Sequence, residues 1–232
     1  MNGDSGTLYR ELFGEASDDD LEDLDEIEEP IPGLVVYRNV QSPKECSRYF
    51  SWLTSEYFPD TPSNTTASQR VNQGMHFGAL SDPDTPLGRL CQICTTLSGL
   101  LPSSVLARSV IFDQAIINLY DRGEGIGDHV DLLRFEDGVV GFSFGGSVTM
   151  RMRRVVTGDM QRAATYAQEL QAADPEEVVV RLNAGDVYAM SGEARYRWTH
   201  GIPKVVGGAD NVQSRRISVT LRKLVVQADQ SS

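Results

Sequence analysis

The stretch INLYDRGEGIGDHVDLLRF, residues 117–135, joins an apolar run to a second extended segment through a glycine-rich turn. Successive side chains of a strand point to opposite faces of a sheet. His129 and Asp131 therefore project together in the predicted second strand, and Val130 points the other way. One short segment thus offers an imidazole and a carboxylate to the same ligand.

The chain around this stretch, from residue 111 to residue 226, predicts a series of short strands. Runs rich in β-branched and aromatic residues are separated by turns rich in Gly, Asn and Asp. One polar helix is predicted among them, at about 159–173. Such a series is typical of an antiparallel sandwich or barrel. The predicted strands are DQAIINLY, GVVGFSF, SVTMRM, EEVVVRL, GDVYAM, RYRWTHGI and RRISVTLRKLVV.

Residues 30–110 predict a helical front with two extended runs, GLVVY and QGMHFGAL. The sequence SPKE at 42–45 has the N-cap serine, the first-turn proline and the glutamate of a capping box. Thr85-Pro86 begins a second helix. Cys91 and Cys94 fall on the apolar stripe of that helix, and Cys46 is the only other thiol. Core packing is therefore predicted for them rather than half of a zinc site.

The charge of the chain is distributed unevenly. The net charge is −12, and residues 1–29 hold twelve acidic residues against one basic residue, a net charge of −11. A block of like charge with few aromatic residues predicts a disordered segment. We therefore expect an acidic tail at 1–29 and one folded domain at 30–232.

Several classes of protein are disfavoured by the composition. The chain lacks a run of about 18 apolar residues, which a membrane span requires. The N-terminal sequence MNGDSGTLYR lacks the basic flank and apolar core of a signal peptide. Three cysteines are a sparse, odd set, which favours a reducing compartment. We expect an intracellular protein, in the nucleus, the cytoplasm or both.

A third metal ligand must come from another part of the chain, and His200 in RYRWTHGI is the candidate. Two histidines and one carboxylate on one face of a metal leave three coordination positions open. This is the facial triad of non-haem Fe(II) oxygenases, in which a cosubstrate and O₂ both bind the metal.

The C-terminal strand RRISVTLR alternates as well. Arg216 and Arg222 share its polar face with two hydroxyl side chains. Two arginines can point into a small barrel if they meet a dianion, because a guanidinium binds a carboxylate with two parallel charge-assisted hydrogen bonds. Asn118 and Tyr120, also two residues apart, can add an amide and a phenol to the same ligand.

These motifs, in this order, resemble the AlkB family of Fe(II)/2-oxoglutarate dioxygenases: N-x-Y, H-x-D nine residues after the tyrosine, GDV…SGEARY…HGI, and R-x5-R. The resemblance runs from about residue 113 to 225. It implies an α+β fold, with a double-stranded β-helix (jelly-roll) core at 111–226 and the N-terminal helices packed on one sheet. The sequences FEDGVVGFSFGGSVTMRM and SGEARYRWTHGI are most similar to the branch that includes the tRNA wobble-uridine hydroxylase.

The resemblance also implies a set of cofactors and the residues that bind them. The cofactors are Fe(II), 2-oxoglutarate and O₂. Carried over residue by residue, the ligands of iron are His129, Asp131 and His200. The residues that bind 2-oxoglutarate or shape its pocket are Asn118, Tyr120, Arg216 and Arg222.

We expect the substrate to be a modified base in DNA or RNA, which is oxidatively demethylated or hydroxylated, although the resemblance alone does not identify it. His76 in QGMHFG either faces this substrate from a lid, as the matching region does in the family, or is a structural histidine. Base-repair members often carry a carboxylate two residues after the metal-binding aspartate. This chain has Leu133 there, followed by Arg134, which weakens recognition of a cationic methylated base. A protein side chain is the alternative substrate, and a binding module without turnover is the alternative function.

Three further features each have two interpretations. Arg151 and Arg153 in MRMRR either contact phosphate or lie on a solvated strand face. Arg195 and Trp198 either support the iron-binding strand or have an ordinary core role. The acidic tail either binds a protein partner through LYRELFG or acts as a solubilising leader.

Overall fold

A computed structural model of the protein describes residues 27–59, 72–155, 176–204 and 214–225. Residues 1–26 of the acidic tail, the helix predicted at about 159–173 and residue 226 lie outside this description. No helix in the described ranges is long and apolar enough to cross a membrane.

The described residues form two antiparallel sheets that pack face to face. Seven strands make a large sheet in the order β1-β2-β9-β6-β11-β4-β3, and four make a small sheet in the order β5-β10-β7-β8. This is the predicted jelly-roll core. The strands are β1 (Ile27–Ile31), β2 (Leu34–Tyr37), β3 (Gln73–Phe77), β4 (Gln114–Tyr120), β5 (Ile126–His129), β6 (Val139–Gly145), β7 (Val148–Arg154), β8 (Glu177–Leu182), β9 (Val187–Met190), β10 (Trp198–Ile202) and β11 (Arg216–Arg222).

Three helices cover the outer face of the large sheet, as predicted: α1 (Pro43–Tyr57), α2 (Pro86–Thr96) and the short α3 (Ser103–Leu106). Helix α1 begins with the predicted capping box, in which the Glu45 carboxylate accepts from the Ser42 backbone N–H at 2.8 Å. The apolar stripes of α1 and α2 pack on the outward side chains of β4, β6 and β11. Cys91 and Cys94 are buried in this core, and burial raises the pKa of Cys91 to about 11.

A second apolar cluster fills one end of the space between the sheets. Its members come from β2, β6 and β9 of the large sheet and from β7, β8 and β10 of the small sheet. Met150 and Met152 point into it, whereas Arg151 and Arg153 point outward. The other end of the space is polar, and it contains the candidate site.

The first strand begins three residues before residue 30, where the folded domain was predicted to start. Strand β1 begins at Ile27, and Glu28, which we counted with the tail, pairs with Arg38 at 2.8 Å. Arg38 in turn pairs with buried Asp186 at 2.7 Å, so these charges stabilise the start of the fold. The extended runs predicted in the front half, GLVVY and QGMHFGAL, contain β2 and β3, and both strands belong with β1 to the large sheet. The segment predicted as one strand, RYRWTHGI, is split between the helix α4 (Gly192–Tyr196) and β10.

Candidate active site

The two histidines of the predicted triad are neighbours across the small sheet. His129 ends β5 and is paired in register with His200 on β10, and their ring centroids lie 4.3 Å apart. Asp131 follows just after the end of β5, and its Oδ1 lies 3.7 Å from His129 Nε2. One ligand atom from each of the three residues lies within 4.8 Å of the other two. No other such cluster of His, Cys, Asp or Glu occurs in the described ranges.

The protonation states of these side chains suit a divalent metal. His129 Nδ1 lies 2.8 Å from the Gly127 carbonyl oxygen. Because that oxygen only accepts, Nδ1 is the donor of this hydrogen bond, which leaves Nε2 as the ring nitrogen available to a metal. Burial, and next the neighbouring His129, lower the pKa of His200 to about 3, so its imidazole is neutral.

Asp131 is a buried carboxylate with one oxygen unused. Burial raises its pKa, but Arg222 and then the two histidines outweigh this effect and hold the pKa below its usual value. Arg222 Nη2 donates to Oδ1 at 2.9 Å, whereas Oδ2 is buried without a hydrogen-bond partner. An unpaired buried carboxylate oxygen is costly, and a bound cation would remove that cost. Two imidazoles and this carboxylate therefore fit an Fe(II) centre with open positions.

Arg216 is the second unusual charge in the site. Its guanidinium is buried, donates from Nε to Ser143 Oγ at 2.9 Å, and lies 5.5 Å from the centre of the Tyr120 ring. Among the described residues it forms no ion pair, and burial lowers its pKa. A buried cation without a counter-charge fits a carboxylate ligand.

The two groups of residues meet in one open cavity of about 430 Å³ between the sheets. The large sheet contributes the polar face of β11 and the inward residues of β4, and the small sheet contributes both histidines. The seventh residue predicted for iron and 2-oxoglutarate, Asp131, contacts Arg222 at the metal end of the cavity. The other six line the cavity: Asn118, Tyr120, His129, His200, Arg216 and Arg222.

The residues predicted for the substrate are placed differently. His76 pairs with Ala115, whose side chain is buried on the helical side of the large sheet, so His76 points away from the cavity. Of the two interpretations of His76, this orientation favours the structural one, because strand register puts its neighbours Met75 and Phe77 on the cavity face. Leu133 and Arg134 lie in the turn after Asp131, outside the cavity lining, and Arg134 stacks on the Phe135 ring at 5.0 Å.

Tyr188 is a cavity residue that the sequence analysis missed. It stands on β9, and its ring crosses Gly141 so closely that a Cβ atom on that glycine would lie 2.3 Å from the ring. Burial raises the pKa of Tyr188 to about 12, so it keeps its phenolic proton. A glycine inside a strand often marks such a close approach, and Gly141 in GVVGFSF was the available signal.

The outward arginines of β7 are paired with acids. Arg151 contacts Asp128 at 2.7 Å, Arg153 contacts Glu177 at 2.7 Å, and Arg154 contacts Glu176 at 3.2 Å. This arrangement favours the solvated strand face over a phosphate-binding edge.

Comparison with known proteins agrees with this geometry. The profile of the 2OG-Fe(II) oxygenase superfamily matches residues 33–222, which is more than half of the chain. The chain belongs to this superfamily. The 2OG-Fe(II) oxygenase is thus an enzyme of the predicted class, a 2-oxoglutarate-dependent dioxygenase, and its cofactors are Fe(II), 2-oxoglutarate and O₂, as predicted.

Curated relatives place this oxygenase in the AlkB family. It is 34% identical over 122 residues to the alkylated DNA repair protein ALKBH8 homolog of Arabidopsis thaliana, over 50% of this chain and 35% of the relative. It is 29% identical over 184 residues to the mouse tRNA (carboxymethyluridine(34)-5-O)-methyltransferase ALKBH8, over 74% of this chain and 24% of the relative. The oxygenase therefore spans about a third or less of the length of these two relatives.

A smaller relative and a solved structure complete the comparison. The N6-methyladenosine RNA demethylase ALKBH of Cryphonectria parasitica is 30% identical over 113 residues, which are 48% of this oxygenase and 47% of that protein. The structure of OsALKBH1 superposes with a TM-score of 0.52 at 17% identity, over 85% of this chain and all of that chain. This likeness supports the fold.

Proposed function

We propose that this AlkB-type dioxygenase oxidatively demethylates or hydroxylates a modified base in DNA or RNA. The observation that carries the proposal is the single cavity on which a histidine–carboxylate–histidine cluster and a buried, unpaired arginine converge. An enzyme that binds a metal and a dicarboxylate side by side needs metal ligands and a buried cation on the walls of the same cavity.

Iron is assigned to His129, Asp131 and His200. His129 and His200 present their imidazoles from paired strands, and Arg222 holds one oxygen of Asp131 so that the other is free for the metal. With iron bound, the site supplies oxidation of a substrate C–H bond by O₂ while 2-oxoglutarate is converted to succinate and CO₂.

The 2-oxoglutarate molecule is assigned to the polar face of β4 and β11. Arg216 binds its distal carboxylate with charge-assisted hydrogen bonds, and Tyr120 lies beside the same guanidinium. Asn118 lines the cavity on the same face, and Arg222 lies at the metal end beside Asp131. The walls keep the cosubstrate in one orientation and limit the access of water.

The substrate is assigned to an apolar shelf, which we define as Met75, Phe77, Leu132 and Leu133. Phe77 is paired in register with Gln114, which is paired with Arg222, and adjacent strands are about 4.8 Å apart. Phe77 therefore lies only two strands from the arginine that holds Asp131. Its side chain is 61% exposed, and Met75, Leu132 and Leu133 are exposed as well.

An exposed aromatic and aliphatic shelf beside a metal centre suits a flat, unstacked base, because every nucleobase has a π-face that stacks on an aromatic ring. The replacement of a carboxylate by Leu133 favours a neutral base over a cationic one. Two of the relatives are named for activity on RNA, which supports a nucleic acid substrate. We further propose that the protein acts in the nucleus or the cytoplasm and that its acidic tail is a site for a protein partner.

The test is turnover against defined substrates. Purified protein with Fe(II) and 2-oxoglutarate is incubated with modified bases in single- and double-stranded DNA and RNA and with methylated peptides. Succinate and modified products are measured by mass spectrometry, with Asp131→Ala as the inactive control. We expect at least one nucleic acid to raise succinate formation and to lose a methyl group or gain oxygen. Stimulation by peptides alone would reject the nucleic acid and make a protein side chain the substrate.

A further inference from the structure

Arg195 is a buried arginine whose position the reaction described so far does not explain. It lies in α4, in the sequence GEARY, and its relative exposure is 1%. None of the ion pairs among the described residues includes it, and burial lowers its pKa. Burying an unpaired guanidinium is costly, and an apolar side chain of similar volume would avoid that cost. The presence of an arginine at this buried position therefore needs an explanation other than packing.

The side-chain hydrogen bonds of Arg195 all go to the backbone at and after Asp131. Nη1 donates to the Asp131 carbonyl oxygen at 2.9 Å, and Nη2 donates to the carbonyl oxygens of Leu132 at 2.9 Å and Phe135 at 3.3 Å. Residues 130–134 belong to neither a strand nor a helix. Backbone N–H groups reach only some carbonyls of this loop, such as that of Leu132, which accepts from the Phe135 N–H at 3.1 Å. The planar, forked guanidinium of Arg195 adds a donor to the Asp131 carbonyl and to two others close by.

The position of Arg195 in the chain links it to both histidines. It precedes His200 by five residues, and β10 pairs His200 with His129. Segment 192–202 therefore contains His200, aligns His129 by strand pairing, and holds the loop of Asp131 through the hydrogen bonds of Arg195. The segment is itself fixed, because the Gly192 N–H donates to Asp137 at 3.0 Å and the Ala194 N–H donates to Pro32 at 3.1 Å.

We propose that Arg195 is a positioning residue for the metal, which fixes the main chain of Asp131 while Arg222 fixes carboxylate oxygen Oδ1. With both ends held, Oδ2 is directed at the metal position before any metal arrives. The inference rests on the proposed metal site. It assigns to the SGEARY sequence a role in metal affinity that is separate from packing.

The experiment measures Mn(II) binding, with the free ion followed by electron paramagnetic resonance, in the full chain. Arg195→Met removes the donors but keeps the apolar volume, and Arg195→Lys keeps the charge but has a single donor head. Arg38→Met is the matched control, since Arg38 is a largely buried arginine that binds Glu28 and Asp186 away from the triad. Asp131→Ala tests the metal site itself.

We expect Arg195→Met to weaken Mn(II) binding about 10- to 100-fold, the usual effect of losing a group that orients a ligand. Arg195→Lys, which stays folded more readily, is expected to show a smaller loss in the same direction. In metal-free protein, amide hydrogen exchange over 131–136 should be faster in both variants. Arg38→Met is expected to lower the unfolding temperature and leave Mn(II) affinity unchanged.

The outcomes separate the two claims. If Asp131→Ala binds Mn(II) as tightly as the wild-type protein, the proposed metal site is wrong. If Asp131→Ala loses Mn(II) while folded Arg195→Lys binds it within twofold of wild type and exchanges its amides at the wild-type rate, the role of Arg195 is overturned. Equal loss of Mn(II) affinity in Arg38→Met and the Arg195 variants would also overturn it, because general destabilisation would then explain the effect.

Discussion

Replacing Arg216 by methionine is expected to separate cosubstrate binding from folding. The guanidinium is buried and lacks a carboxylate partner among the described residues, so its charge is compensated only when a dianion is bound. Removing one partner of a buried charge pair costs about 2–5 kcal/mol. Since 1.4 kcal/mol is a factor of ten, the affinity for 2-oxoglutarate should fall by a factor of between about 30 and several thousand.

The same substitution should not destabilise the protein when 2-oxoglutarate is absent. Arg216→Met removes a desolvated charge, and the side chain keeps a similar volume. The hydrogen bond lost, to Ser143 Oγ, is worth about 1.5–3 kcal/mol, whereas the effective cost of burying one ion is several kcal/mol. We therefore expect an unfolding temperature equal to or above that of the wild-type protein.

The assay combines isothermal titration of the Mn(II)-loaded protein with 2-oxoglutarate and thermal unfolding of the ligand-free protein. Arg215→Met is the matched control, because Arg215 is a partly exposed neighbour that pairs with Asp121 at 2.8 Å. It should leave the 2-oxoglutarate affinity unchanged. An unchanged affinity in Arg216→Met would refute the assignment of the distal carboxylate. A large drop in its unfolding temperature without ligand would refute the argument that the charge is uncompensated.

Three further predictions concern other parts of the molecule. Gly141→Ala places a methyl group within 2.3 Å of the Tyr188 ring, so it should cost about 1–3 kcal/mol of stability and raise the KM for 2-oxoglutarate, as measured by thermal unfolding and succinate formation. Phe77→Ala should raise the KM for nucleic acid roughly 10-fold, from a stacking loss of about 1–3 kcal/mol, with unchanged unfolding temperature, whereas the control His76→Ala should change neither. Deleting residues 1–26 should tighten nucleic acid binding at low salt, with a gain that disappears as salt screens the charge; equal affinities at low salt would contradict an electrostatic role.

Local sequence patterns predicted the parts of the fold that depend on local rules. The SPKE sequence gave the start of α1, and the alternation in RRISVTLR separated the cavity face of β11 from its core face. The two histidines that the sequence suggested do pair across strands. The grouping of the site residues was predicted from the motif resemblance, because periodicity alone cannot show which residues far apart in sequence lie together.

The features that the sequence did not predict depend on tertiary contacts. Glu28 looks like part of an acidic run, but it is paired with Val36 in the β1–β2 ladder and its carboxylate contacts Arg38. In QGMHFG, His76 was considered for a functional role because it is the one ionisable side chain. Alternation along the strand does not show which of its two faces meets the cavity. That choice is fixed by the pairing of β3 with β4. For Arg195 the sequence left two interpretations open, because its partners are backbone groups some 60 residues away in the chain and no local pattern identifies them.

The edge strand β3 bears on how such an enzyme can diversify. Four of its five residues are exposed, and within the described part of the chain it pairs with β4 alone. Surface substitutions of this kind usually change stability by less than about 0.5 kcal/mol. The groups assigned to iron and 2-oxoglutarate lie mainly on buried strands, where substitutions are far more costly. Mutations on β3 can therefore accumulate and change the substrate that the enzyme accepts while the oxidising centre is preserved. Related genes can in this way acquire new substrates through substitutions in a single strand.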